Sequence, residues 1–185
     1  MAQTTKRALA ASLKKMLSKK PLDKITVKDI TDDCELNRQT FYYHFQDIYD
    51  LVEWIFQTEA EQVIGGNRTL DTWQEGFLQL FDYVLENREL ALNVYRSLSR
   101  DTLEEYLRRV TFALLMSVIN EQAENLPVSD ADKRFIADFY KHAFVGLMLD
   151  WVRSGMKEDP AAIVRRLNIL IEGDIEKALE KFEKS

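Results

Sequence analysis

Residues 26–51, Thr-Val-Lys-Asp-Ile-Thr-Asp-Asp-Cys-Glu-Leu-Asn-Arg-Gln-Thr-Phe-Tyr-Tyr-His-Phe-Gln-Asp-Ile-Tyr-Asp-Leu, hold two helix-start signals so close together that only short helices and a tight turn fit between them. Thr26 caps a first helix with apolar positions Val27 and Ile30, and Asp29, three residues on, completes a capping box. The turn falls at Cys34-Glu35-Leu36. Asn37 is the next N-cap, so Arg38, Gln39 and Thr40 occupy the first turn of the following helix. Phe41 and Phe45 share one face, four residues apart, and anchor that helix; Gln39, Thr40, Tyr42, Tyr43 and His44 spread over its other sides. Such a helix presents donors, acceptors and aromatic edges to a DNA groove. The spacing predicts a helix-turn-helix over about 29–48.

Charge is distributed in a way that suits this reading. Through Lys28 the chain carries eight Lys and Arg against Asp23 alone, a balance of +7, which leaves −13 for the remainder of a chain whose total is −6. An acidic protein still binds a polyanion when its positive charge is gathered at one end, because screening confines the attraction to about a Debye length. A solvated helix face is the ordinary fate of such a run; its place just upstream of the motif favours phosphate binding.

The stretch Asn37-Arg38-Gln39-Thr40-Phe41-Tyr42-Tyr43-His44-Phe45, with Ile30 before it and Leu51 after it, resembles the recognition element of the tetracycline-repressor (TetR) family of bacterial transcription regulators. The resemblance spans residues 5–55 and extends, through helix order, to the end of the chain. Gly146-Leu147-Met148-Leu149-Asp150-Trp151, followed by Gly155-Met156-Lys157 and Pro160, looks like the branch that includes the dihydroxyacetone-kinase operon regulator. Carried over position by position, the resemblance implies that Arg38, Gln39 and Thr40 meet base edges or adjacent phosphates. Tyr42 would meet a thymine methyl or a phosphate, and Tyr43 and His44 the backbone phosphates. Two positions depart from the family pattern: the usual glycine of the turn is Glu35, and the usual lysine opening the next helix is Ile48. Thr26, Lys28 and the basic first helix are therefore expected to carry the phosphate contacts, with Ile48 packed against the domain.

Elsewhere the hydrophobic period is helical, no strand run stands out, and Pro21, Pro127 and Pro160 each sit where one helix gives way to another. The expected fold is all-α: an N-terminal three-helix DNA-binding domain over 1–50, then a connecting helix and a C-terminal helical-bundle regulatory and dimerisation domain over 51–185. The first helix runs from Thr5 to about Lys19. Asp47 caps a connecting helix that reaches Ile64 and ends at Gly65-Gly66-Asn67, where paired glycines permit bending. Further helices are expected at about Leu70–Asn87, Arg88–Leu98, Asp101–Asn125, Asp130–Ser154 and Pro160–Phe182. Capping boxes start at Asp101 and Ser129, and Asp159-Pro160 gives an N-cap with proline at the first helical position.

Two apolar rows share the helix beginning at Asp130: Phe135, Phe139, Ala143, Leu147 and Trp151 in one, Ile136, Tyr140, Phe144 and Met148 in the other. The last helix adds Ile163, Leu167, Leu170, Ile171, Ala178 and Phe182. A face this wide suits a core contact on one side and a two-fold partner on the other, giving a four-helix homodimer interface with Phe139, Phe144, Leu147, Trp151, Leu167, Leu170 and Ile171 at its centre. A monomeric core using both rows is the alternative. The operator of such a dimer is an inverted repeat in double-stranded DNA.

For the regulatory input two readings stand side by side. A small-molecule effector needs a partly apolar cavity, for which Trp73, Phe77, Phe81, Tyr95, Phe112, Met116, Tyr140 and Phe144 are candidates, although aromatics at helical spacing also make plain core. A protein co-regulator, as the resemblance to the dihydroxyacetone-kinase branch implies, would use an exposed apolar patch instead. Repression is the commoner mode in the family and is the expected sign.

Catalysis finds little support. There is no His-Glu-x-x-His, no Gly-rich phosphate loop and no nucleophile elbow, and the neighbouring carboxylates Glu104-Glu105 and Glu121 with Glu124 suit solvated helix surface. No cofactor is expected. Cys34 is the single cysteine, which excludes an internal disulfide and a cysteine-cluster metal site. No apolar run has the length of a membrane span, and Met1 to Arg7 leads into an amphipathic pattern and not a signal peptide, so a cytoplasmic protein without a membrane partner is expected.

Overall fold

The computed structural model describes residues 2–63, 68–96 and 100–183, and the elements among them are helices: α1 (Ala2–Leu17), α2 (Val27–Asp33), α3 (Arg38–His44), α4 (Ile48–Val63), α5 (Trp73–Glu86), α6 (Arg88–Arg96), α7 (Arg100–Gln122), α8 (Asp130–Arg153), α9 (Pro160–Ile171) and α10 (Asp174–Glu183), with a short 3-10 turn at Leu22–Lys24. No helix among the described residues is long and apolar enough to cross a membrane. The expected bend at Gly65-Gly66-Asn67, with Ile64 before it, and the expected helix end at Leu98 lie outside the described residues.

The chain divides into two compact units. The first joins Met1–Glu59 to Asn87–Tyr106, so it is discontinuous in sequence; the second joins Ala60–Glu86 to Leu107–Ser185. In the first, α1 packs on α2, α3 and α6. Leu9, Leu13, Ile30, Phe41, Leu51 and Ile55 are among its fully buried side chains. Two polar contacts fix the approach: the Leu22 amide donates to Asn93 Oδ1 at 3.1 Å, and Ser12 Oγ to the Ile30 carbonyl at 3.4 Å. Phe56 lies 4.9 Å from Tyr106, ring centre to ring centre.

The second unit is built on aromatic packing between α5 and α8. Phe77 meets Phe144 at 4.7 Å and Phe81 at 5.1 Å, Trp73 meets Phe144 at 5.9 Å, and Phe81 meets Trp151 at 4.9 Å. The Trp151 indole donates to the Glu158 carbonyl at 2.8 Å, which satisfies its one donor and pins the turn between α8 and α9. That turn contains two consecutive left-handed residues, Gly155 at φ 84° and Met156 at φ 58°.

Helix starts follow the expected caps. Thr26 and Asp29 exchange both capping-box hydrogen bonds, Asn37 accepts from the Thr40 amide, Ser129 from that of Asp132 and Asp159 from that of Ala161. Three differences stand beside them. The single helix expected over Pro160–Phe182 breaks at Glu172-Gly173, where Gly173 takes φ 73° and ends α9 in the left-handed conformation only glycine adopts cheaply. Asp101 sits inside α7 and does not cap it, since the helix already begins at Arg100. Leu70 lies in a turn ahead of α5, held there by its amide donating to Glu121 Oε2 at 2.7 Å.

Candidate nucleic-acid interface and regulatory cavity

Helix α3 is held from beneath. Phe41 is fully buried and Phe45 nearly so, and burying side chains of this size contributes about 1.5–3 kcal/mol each. The opposite side is open: Arg38, Gln39, Tyr42 and Tyr43 are exposed, Tyr43 to 82% of its surface, while Thr40 and His44 are half-buried. Thr40 is less available than its position suggests, because its hydroxyl donates to Asn37 Oδ1 at 3.0 Å as part of the cap. His44 stacks edge-on against Tyr43 at 4.9 Å. Thr26 and Lys28 are exposed at the start of α2, and Ile48 is half-buried at the start of α4.

The basic N-terminal segment is more neutralised than the sequence suggests. Lys15 pairs with Asp33 at 2.5 Å, Lys20 with Asp29 at 2.8 Å and Lys14 with Glu59 at 2.6 Å. The Lys20 ammonium, with the Thr26 amide, pulls the Asp29 carboxyl down to about 2, and Lys15, followed by Ser12, lowers that of Asp33. Among the described residues Arg7, Lys19, Lys28 and Arg38 have no carboxylate within salt-bridge reach. Lys6, counted with the basic segment, has its ammonium 5.1 Å from the Phe45 ring centre and 5.6 Å from that of Trp54. This cation-π clamp joins α1 to the floor of α3 and to α4; a lone lysine and tryptophan far apart in sequence give no local signal of it.

In the second unit a cavity of about 220 Å³ opens between α5, α7, α9 and the α9–α10 corner. Of the eight residues expected on sequence grounds to line a ligand cavity, Trp73 lines this one, and Phe81 and Phe144 belong to the aromatic stack between α5 and α8. Phe77 is sealed inside the aromatic stack, fully buried. Tyr95 belongs to the first unit. Phe112 lies under the Lys141 ammonium at 5.4 Å, Met116 is half-buried outside the lining, and Tyr140 packs beside Phe139, with burial first and Asp174 second raising its phenol above the ordinary value. Aromatic side chains fill the core here, and the cavity is walled instead by Leu114, Val118 and Ile175 with the carboxamides of Gln74, Gln122 and Asn168. Polar residues interrupting apolar helical rows were the available sequence signal.

The expected dimer surface also divides. Phe144, Trp151 and Leu167 are buried within the chain and belong to its core, not to a dimer surface: Phe144 packs on Phe77 of α5 and Trp151 on Phe81. Phe139, Leu147 and Leu170 are exposed, to 67%, 44% and 69%, and Phe135 and Ile169 join them; Ile171 is half-buried and lines the cavity. A groove of about 320 Å³ runs between Leu147 on α8 and Leu170 on α9. Gly146 sits exposed on the same helix with nothing within 4 Å of the position a Cβ would take.

Comparison with known proteins matches residues 9–55 to the model described as bacterial regulatory proteins, tetR family, and residues 71–173 to the one described as transcriptional regulator C-terminal region. The chain is 26% identical over 153 residues, 82% of its length and 81% of the other's, to the HTH-type dhaKLM operon transcriptional activator DhaS of Lactococcus lactis subsp. lactis (strain IL1403). Among solved structures it resembles the dihydroxyacetone kinase operon activator DhaS, with a TM-score of 0.75 and 24% identity over 93% of this chain and 96% of that one. It also resembles NalD, the secondary repressor of the MexAB-OprM multidrug efflux pump in Pseudomonas aeruginosa, with a TM-score of 0.62 and 13% identity over 92% of this chain and 96% of that one.

Proposed function

Since the chain belongs to the tetR family of bacterial transcription regulators, we propose that it binds an inverted-repeat operator as a homodimer and releases it in response to a small molecule. The observation that carries the reading is the exposed row Arg38, Gln39, Tyr42 and Tyr43 on a helix whose other face is locked by Phe41 and Phe45. Arg38 and Gln39 read base edges, Tyr42 a thymine methyl or a phosphate, and Tyr43 and His44 hold the backbone; Thr26 and Lys28 grip it at the start of α2. Thr40 serves the cap and reaches DNA through its methyl.

Dimerisation through α8 and α9 would bury Phe139, Leu147, Ile169 and Leu170, which are costly to leave in water. The open space over Gly146 suits the close approach of a second helix. The effector occupies the cavity beside Trp73. We take the sign to be repression. A second reading, activation with a partner protein supplying the signal, is favoured by the relative named an activator and by the closed aromatic centre of the second unit.

The test is retention of fragments from the source genome by the purified protein, followed by a promoter fusion carrying the retained fragment. One fragment held well above bulk DNA at physiological salt is expected, with reporter output rising when the gene is deleted; falling output would establish activation. Gln39→Ala should weaken that site by about 1–3 kcal/mol and relax preference at one base pair. Equal loss on every sequence would make Gln39 a phosphate contact, and retention of no fragment above bulk DNA would refute the operator.

A further inference from the structure

Helix α1 turns one row to the core, Leu9, Ala10, Leu13 and Leu17. Lys6 stands three and four residues ahead of Leu9 and Ala10, so helical spacing puts it on that same row, where an apolar side chain would be the ordinary choice. It is half-buried, and among the described residues its ammonium has no carboxylate within salt-bridge reach. Two rings stand where a carboxylate would: the centre of Phe45 lies 5.1 Å from Lys6 Nζ and that of Trp54 5.6 Å, both within the about 6 Å over which a ring face attracts a cation. The rings meet each other at 5.9 Å, and Phe45 meets the buried Phe41 at 5.8 Å. Phe45 is the C-cap of α3 and Trp54 lies in α4, so one charge joins α1, the end of α3 and α4, all inside the first compact unit.

We propose that Lys6 is a positioning residue for the recognition helix: its charge holds Phe45 and Trp54 together and so fixes the angle at which α3 presents Arg38 and Gln39 to base edges. The inference rests on the operator reading given above and adds a residue that serves it without touching DNA. The lever is short and stiff. The seven residues of α3 span about 10 Å, with Phe45 at one end and Arg38 at the other, so a tilt of about 10° at the Phe45 end moves Arg38 by roughly 2 Å. A hydrogen bond to a base edge does not survive such a displacement, whereas attraction to a phosphate falls only gradually with distance. Loosening the clamp therefore costs base reading and spares the hold on the backbone. A leucine at position 6 would pack on the same rings, but apolar contact is non-directional, while an ammonium is drawn to the ring faces.

Lys6→Met keeps the length of the side chain and removes its charge, Lys6→Arg keeps the charge, and Trp54→Leu keeps Lys6 and removes one ring. In the full-length, DNA-free protein the NMR resonances of the Lys6 Hε protons should lie upfield of those of the exposed Lys19 and Lys28, shifted by the ring currents, and should move back toward them in Trp54→Leu. Lys6 resonances that coincide with those of Lys19 and Lys28 in the wild type would overturn the clamp. DNA binding is read as the ratio of affinities for the retained genomic fragment and for the same fragment with its base order scrambled, over a range of salt and below the melting temperature of every variant. Lys6→Met and Trp54→Leu should each lower that ratio about fivefold, the double variant should go no further than the singles, and Lys6→Arg should stay within about twofold of wild type. Equal loss on both fragments in Lys6→Met, with a salt slope shallower by about 0.9 and no loss in Trp54→Leu, would make Lys6 a phosphate contact and overturn the positioning role. An unchanged ratio in Lys6→Met and Trp54→Leu would overturn it as well. Retention of no fragment is the failure of the operator reading, whereas the resonances decide the clamp without DNA, so the two failures are separate results.

Discussion

Glu35 holds φ at 54°, a left-handed backbone that side chains with a Cβ adopt at a cost of about 1–3 kcal/mol. The tight turn between α2 and α3 demands it, and glycine would meet the demand without strain. Glu35→Gly should therefore raise stability by up to about 1 kcal/mol after the extra entropy of an unfolded glycine is subtracted, seen as a higher urea midpoint at unchanged slope. Non-specific DNA affinity should rise with it, since a negative charge leaves the turn. A lower midpoint would show that the glutamate makes a compensating contact. Asp29 gives a pH signature. Its folded carboxyl lies near 2 against an ordinary 3.8, so its stabilising effect is complete above about 4 and is lost as the pH falls from 4 toward 2. Asp29→Asn should flatten the acid limb of the unfolding curve in that window; an acid limb identical to wild type would remove Asp29 from the account. At this scale the sequence was readable where the signal is local. Thr26, Asp29 and Asn37 act within three residues of themselves. The Lys15–Asp33 pair and the Lys6 clamp required the tertiary structure, because nothing near those residues in the chain specifies their partners.

Helical period identified the elements but left open which rows of α8 and α9 face inward. Two rows at four-residue spacing look alike in sequence; α5 takes Phe144 of one row against Phe77 and Trp151, the last member of the other, against Phe81, which leaves Phe135, Phe139 and Leu147 exposed. The exposed row is the one to test. Leu170→Glu should give a well-folded monomer with weak operator binding, measured by light scattering and thermal unfolding, because Leu170 is 69% exposed. Phe144→Asp should instead unfold the second unit, since an unpaired carboxylate would enter the aromatic core. A wild-type monomer at micromolar concentration would remove the interface. The break at Gly173 was likewise hidden, one glycine within an otherwise helical stripe; once made, it turns α10 back and creates the corner that lines the cavity. Helix α9 thus presents Asn168 to the cavity and the neighbouring Ile169 and Leu170 to solvent. A ligand that disturbs the Gln74–Asn168 bond acts on the helix proposed to set the dimer.

The sequence placed the domain division after residue 50, at the start of the connecting helix. The compact unit that holds the helix-turn-helix continues to Glu59 and takes in Asn87–Tyr106, a return of the chain that local patterns do not announce. That return supplies α6 against α1, Asn93 against the Leu22 amide and Tyr106 against Phe56. A fragment of residues 1–59 should accordingly lack a cooperative thermal transition in circular dichroism, although its sequence contains the whole motif; a sharp transition would show that 87–106 is dispensable. The consequence reaches into synthesis. The recognition helix leaves the ribosome early, but the residues that complete its supporting core emerge only after the whole of α5 has been made. A nascent or prematurely terminated chain that stops before Tyr106 would carry the reading head without the frame that steadies it, and would not compete with finished protein for the operator.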